Sequence, residues 1–142
     1  MAIKIKLLDG GKLPVYKTDR AACADCYARL PTEQVTILAG KRTYIPLGFC
    51  IELPKEIEAV IRPRSGLSGD EIDVIQGTID SDFRGEVKAL VVNNKEEDFV
   101  IHNLDRICQM KIQEAKQYKF EIVSELSETE RGTKGLGSTG VK

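Results

Sequence analysis

The strongest constraint on this chain is the period of its apolar residues. Leu47, Phe49, Ile51 and Leu53 alternate with Gly48, Cys50 and Glu52, and Ile3, Ile5 and Leu7 alternate with Ala2, Lys4 and Lys6. A two-residue period belongs to strands with one buried face. Further short runs of β-branched and aliphatic residues lie at 35–38, 43–46, 57–62, 72–75, 87–92, 99–102, 106–112 and 120–123. Turn residues separate them, as in Asp9-Gly10-Gly11 and Ala39-Gly40. Leu13-Pro14-Val15-Tyr16 is extended, because proline disfavours a helical residue before it. No stretch sustains a helical period and no segment repeats. Such a pattern predicts an all-β fold, a distorted jelly roll or β-clip barrel with little helix.

The 142 residues suit one domain with a real core. With 21 basic and 22 acidic residues the net charge is −1, which argues against a nucleic-acid partner, since that needs a basic footprint. Small anions stay open, because a local arginine cluster suffices for them. The alternating N-terminus is no apolar leader. No apolar run approaches the roughly 18 residues of a membrane span. Cys23, Cys26, Cys50 and Cys108 lack a secretory context, so a reduced, cytoplasmic setting is expected.

Several stretches carry chemistry. Residues 77–87 read as strand, turn, strand, with Asp80, Asp82, Phe83 and Arg84 between Gly77 and Gly85. Glycine there permits close backbone approach to a flat ligand. The competing reading is a solvated turn. Arg64-Ser65-Gly66-Leu67-Ser68-Gly69 follows a strand and can open one helical turn, whose free N–H groups, hydroxyl and arginine suit an anion. A serine cap beside a solvated arginine is the alternative. Cys23-x-x-Cys26 lacks the further ligands a structural zinc needs, and His102 is the one histidine, so buried small hydrophobes come first, ahead of a redox pair. Asp25 between them is an acid in apolar company, usually hydrogen-bonded or functional. His102 receives no role. From Glu125 the composition changes, and 132–140 carries glycine at almost alternate positions. It suggests an arm, mobile until it closes on something, with a disordered tail as the alternative. It is no P-loop, since no Gly-Lys-Ser/Thr occurs.

Taken together, five segments stand in a recognisable order. Residues 22–28, 63–68, 77–85, 105–109 and 131–140 resemble the five motifs of the trimeric deoxyuridine triphosphatases (dUTPases), and the resemblance runs from about Ile3 to Val141. It implies a β jelly roll over 1–124, an arm over 125–142 that closes over a site of a neighbouring subunit, a homotrimer with shared sites, and Mg²⁺. The reaction implied is dUTP plus water giving dUMP and pyrophosphate, by attack on the α-phosphorus. That reaction keeps uracil out of DNA and supplies dUMP for dTMP synthesis. By position, Asp80 is similar to the acid that activates water. Arg64, Ser65, Gly66 and Gln109 are similar to the phosphate contacts. Asp25 is similar to the acid that holds a water of the Mg²⁺ shell, with the ion carried mainly by substrate phosphates. Gly77, Thr78 and Ile79 would read the uracil edge, and Phe83 would lie under the deoxyribose. Arg131, Leu136, Gly137, Ser138 and Thr139 are similar to the closing tail. Phe83 stands where the family has tyrosine, Leu136 where it has phenylalanine, and Leu104 where it has glycine. Cys23 and Cys26 replace glycine and leucine beside Asp25, so their oxidation would disturb that acid. Alternative readings are a dCTP deaminase-type relative of the same fold, and a phage-type dUTPase that also binds regulatory proteins.

Overall fold

The computed structural model describes residues 1–141. Within them lie eleven strands and one helical turn, in the order β1 (Lys4–Leu7), β2 (Ala24–Tyr27), β3 (Gln34–Ile37), β4 (Arg42–Pro46), β5 (Phe49–Glu52), β6 (Ile57–Arg62), α1 (Ser65–Gly69), β7 (Ile72–Ile75), β8 (Gly77–Ile79), β9 (Lys88–Asn93), β10 (Phe99–His102) and β11 (Arg106–Glu114). The sheets run β1-β5, β3-β10, β4-β9-β7 and β2-β11-β6-β8, and every pairing is antiparallel. Among the described residues no helix is long and apolar enough to cross a membrane.

No strand pairs with its neighbour in sequence. The strand–turn–strand expected over 77–87 is therefore not a hairpin, and the runs at 35–38 and 43–46 do not pair with each other either. β3 pairs with β10 while β4 pairs with β9. β8 pairs with β6 while β9 pairs with β4 and β7. Gln76 alone separates β7 from β8, and there the chain leaves one sheet for another. Consecutive strands thus lie in different sheets around one core, as in a jelly roll.

That core is where the alternation put it. Leu47, Phe49, Ile51 and Leu53 are all buried, together with Ile37, Ile45, Ile61, Ile72, Val91 and Ile101. Gly48 is buried among them with φ +75°, and a Cβ on Gly11 would stand 2.0 Å from its carbonyl oxygen. Only glycine lets those two backbones meet.

Other expectations shift. Ile3 and Ile5 pack against the core, but Leu7 is 46% exposed. β2 is a strand although its small residues have little β-propensity; its neighbours impose it. Ile107 is a bulge in the β11–β2 register, so Ile107 and Cys108 are both buried and the alternation with Gln109 and Lys111 breaks. The last described strand ends at Glu114, so 120–123 forms none, and Phe120 and Ile122 are fully exposed. Their two-residue period describes a strand, but among the described residues nothing pairs with it.

All four cysteines are free thiols. Cys26 is fully buried and faces Cys108 across β2–β11, not Cys23, which is half-buried. Hydrogen bonding with Cys26, then burial, push the Cys108 thiol well above its ordinary 9.0. The unfolded thiol therefore ionises first. The folded state binds the extra proton above about pH 9, so this contribution to stability is complete below that pH and lost above it. Thermal midpoints measured from pH 7 upward should fall beyond about pH 9, and Cys108→Ala should flatten that fall.

Leu104, at the β10–β11 turn, has φ +67°, which explains why the family pattern favours glycine there. The left-handed region costs an L-residue about 1–2 kcal/mol, and 43% exposure leaves Leu104 little burial to offset it. In urea titrations Leu104→Gly should stabilise the protein by about 0.5–1 kcal/mol, after the extra chain entropy of glycine.

Candidate active site

One end of the four-stranded sheet gathers charge. Register sets Asp25 of β2 opposite Gln109 of β11, and Gln109 opposite Arg62 of β6. The Asp25 carboxylate is 13% exposed and lies between two guanidiniums. Arg64 Nε stands 3.5 Å from Oδ1, and Arg106 Nη1 stands 3.1 Å from Oδ2. Arg64 Nη1 donates to the Arg106 carbonyl at 2.8 Å, and Gln109 Nε2 donates to the Pro63 carbonyl at 2.8 Å. These bonds tie β2, β11 and the β6–α1 link together.

Pro63 stops β6, and α1 begins directly after Arg64. Arg64 caps that turn with extended backbone, and its side chain makes no capping hydrogen bond to the turn. The first amides of α1, at Ser65 and Gly66, have no partner within the turn. A Cβ on Gly66 would meet open space. Two guanidiniums, one carboxylate and open amides make a net-positive cluster suited to a polyanion.

The other group stands at the sheet's far edge. Among the described residues β8 pairs with β6 alone, so the outer backbone edge of Gly77, Thr78 and Ile79 is unpaired. Asp80 ends this strand, exposed, and its carbonyl accepts a bond from Phe83 N at 3.1 Å. The Phe83 ring lies on Gly85, where an added Cβ would come within 2.7 Å of Cζ. Gly85 thus makes room for the chain's own Phe83 ring. Arg84 turns back onto the Ser81 and Phe83 carbonyls, at 2.7 and 3.1 Å. Glu86 closes the loop by accepting Arg29 Nη2 on both oxygens, at 2.7 and 2.8 Å, Arg29 Nε at 3.0 Å and the Gly48 amide at 3.0 Å. An open cavity of about 690 Å³ lies beside Asp80, lined also by Lys55, Glu58, Ser81, Asp82 and Lys116.

The two groups do not meet within one chain. Register brings Asp80 level with Glu58 of β6, whereas Arg64 lies six positions beyond Glu58. At about 3.3 Å per residue that is about 20 Å. Asp25, Arg64, Ser65, Gly66 and Gln109 come together, as do Gly77, Thr78, Ile79, Asp80 and Phe83. Arg131, Leu136, Gly137, Ser138 and Thr139 join neither group. They lie on an exposed arm whose described hydrogen bonds are internal, such as Arg131 Nε to the Lys134 carbonyl at 2.9 Å. Sequence reading missed Arg106 and the Arg29–Glu86 pair. Both join residues far apart in the chain, and only the strand register reveals them. His102 is exposed, 3.7 Å from Asp105. Among the described residues no three His, Cys, Asp or Glu side chains converge as a metal cage.

Comparison with known proteins bears on the family and the fold. The dUTPase family model matches residues 9–140. The deoxyuridine 5'-triphosphate nucleotidohydrolase of Treponema denticola is 46% identical over 144 residues, covering 99% of both chains. That of Maricaulis maris is 43% identical over 147 residues, covering 99% of this chain and 97% of its own. Among solved structures, a variant dUTPase of Staphylococcus bacteriophage 80alpha with dUpNHpp superposes with a TM-score of 0.91 at 21% identity, covering 99% of both chains, and so shares the fold. A variant dUTPase from phage phi11 of S. aureus, solved with a structural Mg(II) ion, superposes at 0.82 with 16% identity, over 90% of this chain and all of its own. A family match over nearly the whole length, joined to relatives 43–46% identical and a fold shared with solved dUTPases, places this chain in the dUTPase family, whose members hydrolyse dUTP.

Proposed function

We propose that the dUTP hydrolysed by this chain lies between copies of it, in a homotrimer, with Asp80 of one copy facing Arg64, Ser65 and Gln109 of another. One observation carries this reading: Asp80 stands about 20 Å from Arg64 along β6, so the acid and the phosphate contacts of one chain do not converge. The exposed alternating residues Phe120 and Ile122 support it, because such a segment needs a sheet or groove on another copy.

In this arrangement the unpaired edge at Gly77, Thr78 and Ile79 takes the uracil, and the Phe83 ring lies beneath the sugar. A backbone edge that pairs with one base leaves buried polar groups unsatisfied with another, which is a strong basis for selection. Asp80, exposed at the end of a stiff strand, takes a proton from water and aligns it with the α-phosphorus. Phosphoryl transfer depends mostly on such alignment and on neutralised charge. Arg64, the α1 amides and Gln109 hold the phosphates, and Arg131 with Gly137, Ser138 and Thr139 closes over them.

The residues fit a hard cation that keeps its waters. Asp25 is a single carboxylate beside the phosphate end, and Mg²⁺ commonly binds through one or two carboxylates plus substrate phosphates. Asp25 would hold a water of that shell, and the ion when bound neutralises phosphate charge. The relatives at 43–46% identity are named as triphosphate nucleotidohydrolases, which favours hydrolysis over deamination. With no sign of a membrane-spanning helix among the described residues and four free thiols, we place the enzyme in the cytoplasm.

Pyrophosphate release with Mg²⁺ should be seen from dUTP and not from dCTP, dTTP or UTP. Asp80→Asn should lower it by about 10²–10⁴-fold. Asp80→Asn and Arg64→Ala copies, each nearly inactive, should regain about a quarter of the parent rate when refolded together, since symmetric mixing restores that share of sites. No recovery would mean that the site is not shared. Leu136 is wholly exposed on the arm and offers no ring to stack on a base. Base–aromatic stacking contributes about 1–3 kcal/mol, so Leu136→Phe should lower KM about fivefold or more; an unchanged KM would remove the arm from base recognition.

A further inference from the structure

We infer that Arg106 is a positioning residue, which keeps the Arg64 guanidinium available to phosphate by occupying Asp25. The inference rests on the placement of the phosphates at Arg64 given above.

The geometry is asymmetric. Arg64 reaches Asp25 only through Nε, at 3.5 Å, while Arg106 takes the other oxygen at 3.1 Å. Arg64 Nη1 is spent on the Arg106 carbonyl at 2.8 Å. Among the described residues Nη2 of Arg64 makes no bond, and it is the donor left for a ligand. An unopposed carboxylate at this distance would draw Arg64 into a two-pronged pair, the strongest arrangement open to an arginine and an acid. Such a pair would be neutral and would turn the guanidinium's planar fork away from the phosphates. With Arg106 present the trio carries a net positive charge, and Asp25 is shared between two partners. Arg106 is itself 42% exposed at the head of β11, next to the Ile107 bulge that sets its direction. It needs no contact with substrate to have this effect.

Steady-state kinetics on the full chain test the idea with Arg106→Gln, Arg106→Lys and Arg64→Ala, thermal midpoints being recorded for each. Arg106→Gln should raise KM for dUTP about ten- to thirtyfold, the worth of one charge-assisted bond, with kcat within about threefold of the parent. Its kcat/KM should also depend less on salt, because the cluster has lost charge. Arg106→Lys, which keeps the cation, should restore KM to within about threefold of the parent. A purely structural arginine would instead lower the midpoint and kcat while leaving KM alone, and that result overturns the inference. So does a lysine variant as impaired in KM as the glutamine one. If Arg64→Ala raises KM and Arg106→Gln does not, only this inference fails. If Arg64→Ala leaves KM unchanged, the phosphate placement fails with it. Should Arg106→Gln not fold, Arg106→Lys decides alone: a KM rise beyond about tenfold, or a loss confined to kcat, rejects the role.

Discussion

Glu86 is the point at which three separate pieces of chain are fastened. Its carboxylate takes the Arg29 guanidinium on both oxygens and the Gly48 amide besides. Arg29 follows β2, Gly48 links β4 to β5, and Glu86 ends the loop that carries Asp80 and Phe83. A fold without hairpins has no tight turns to hold successive strands in register, so its crossing points need such ties. The pair is only partly solvated, with side chains 28% and 17% exposed. Loss of one partner would leave a half-buried charge unanswered, which costs far more than a surface pair contributes. The Gly11–Gly48 approach beside it adds a steric condition at the same junction.

With the crossings fixed, the four-stranded sheet acts as a ruler. β6 runs between the two halves of the site, and its pairing with β8 and β11 sets where each half stands. At one end a polar row of Asp25, Gln109 and Arg62 crosses the strands, and Arg62 Nε there is buried without a partner. At the other, β8 leaves its edge bare. The two ends differ in chemistry because the strand ends differ. Proline and a helical turn open amides and arginines toward anions, whereas an unpaired strand edge offers alternating donors and acceptors to a planar base.

Much of this was legible in the chain and some was not, for identifiable reasons. Alternation at 47–53 found the core, because a buried face imposes its period on the residues that build it. Gly66 and Gly85 marked backbone that faces open space or a packed ring. Pairing was hidden, since each strand's partner lies in another part of the chain. The same pattern that served at 47–53 misled at 120–123, where a strand-like segment pairs with none of the described strands. Leu104 could be noticed as a departure, but only its positive φ explains it. Arg106 was visible as a letter in a motif; its role in holding Asp25 depends on a bulge that no local pattern foretells.

The pairing of β2 with β11 also orders events during synthesis. Asp25 and Arg106 are 81 residues apart. At about 5–20 residues per second, the acid leaves the ribosome roughly 4–16 s before its arginine partner. During that interval β2 has an unsatisfied edge and a buried-type acid standing in water. The nascent chain therefore cannot secure this region until β11 has been made, near the end of the sequence.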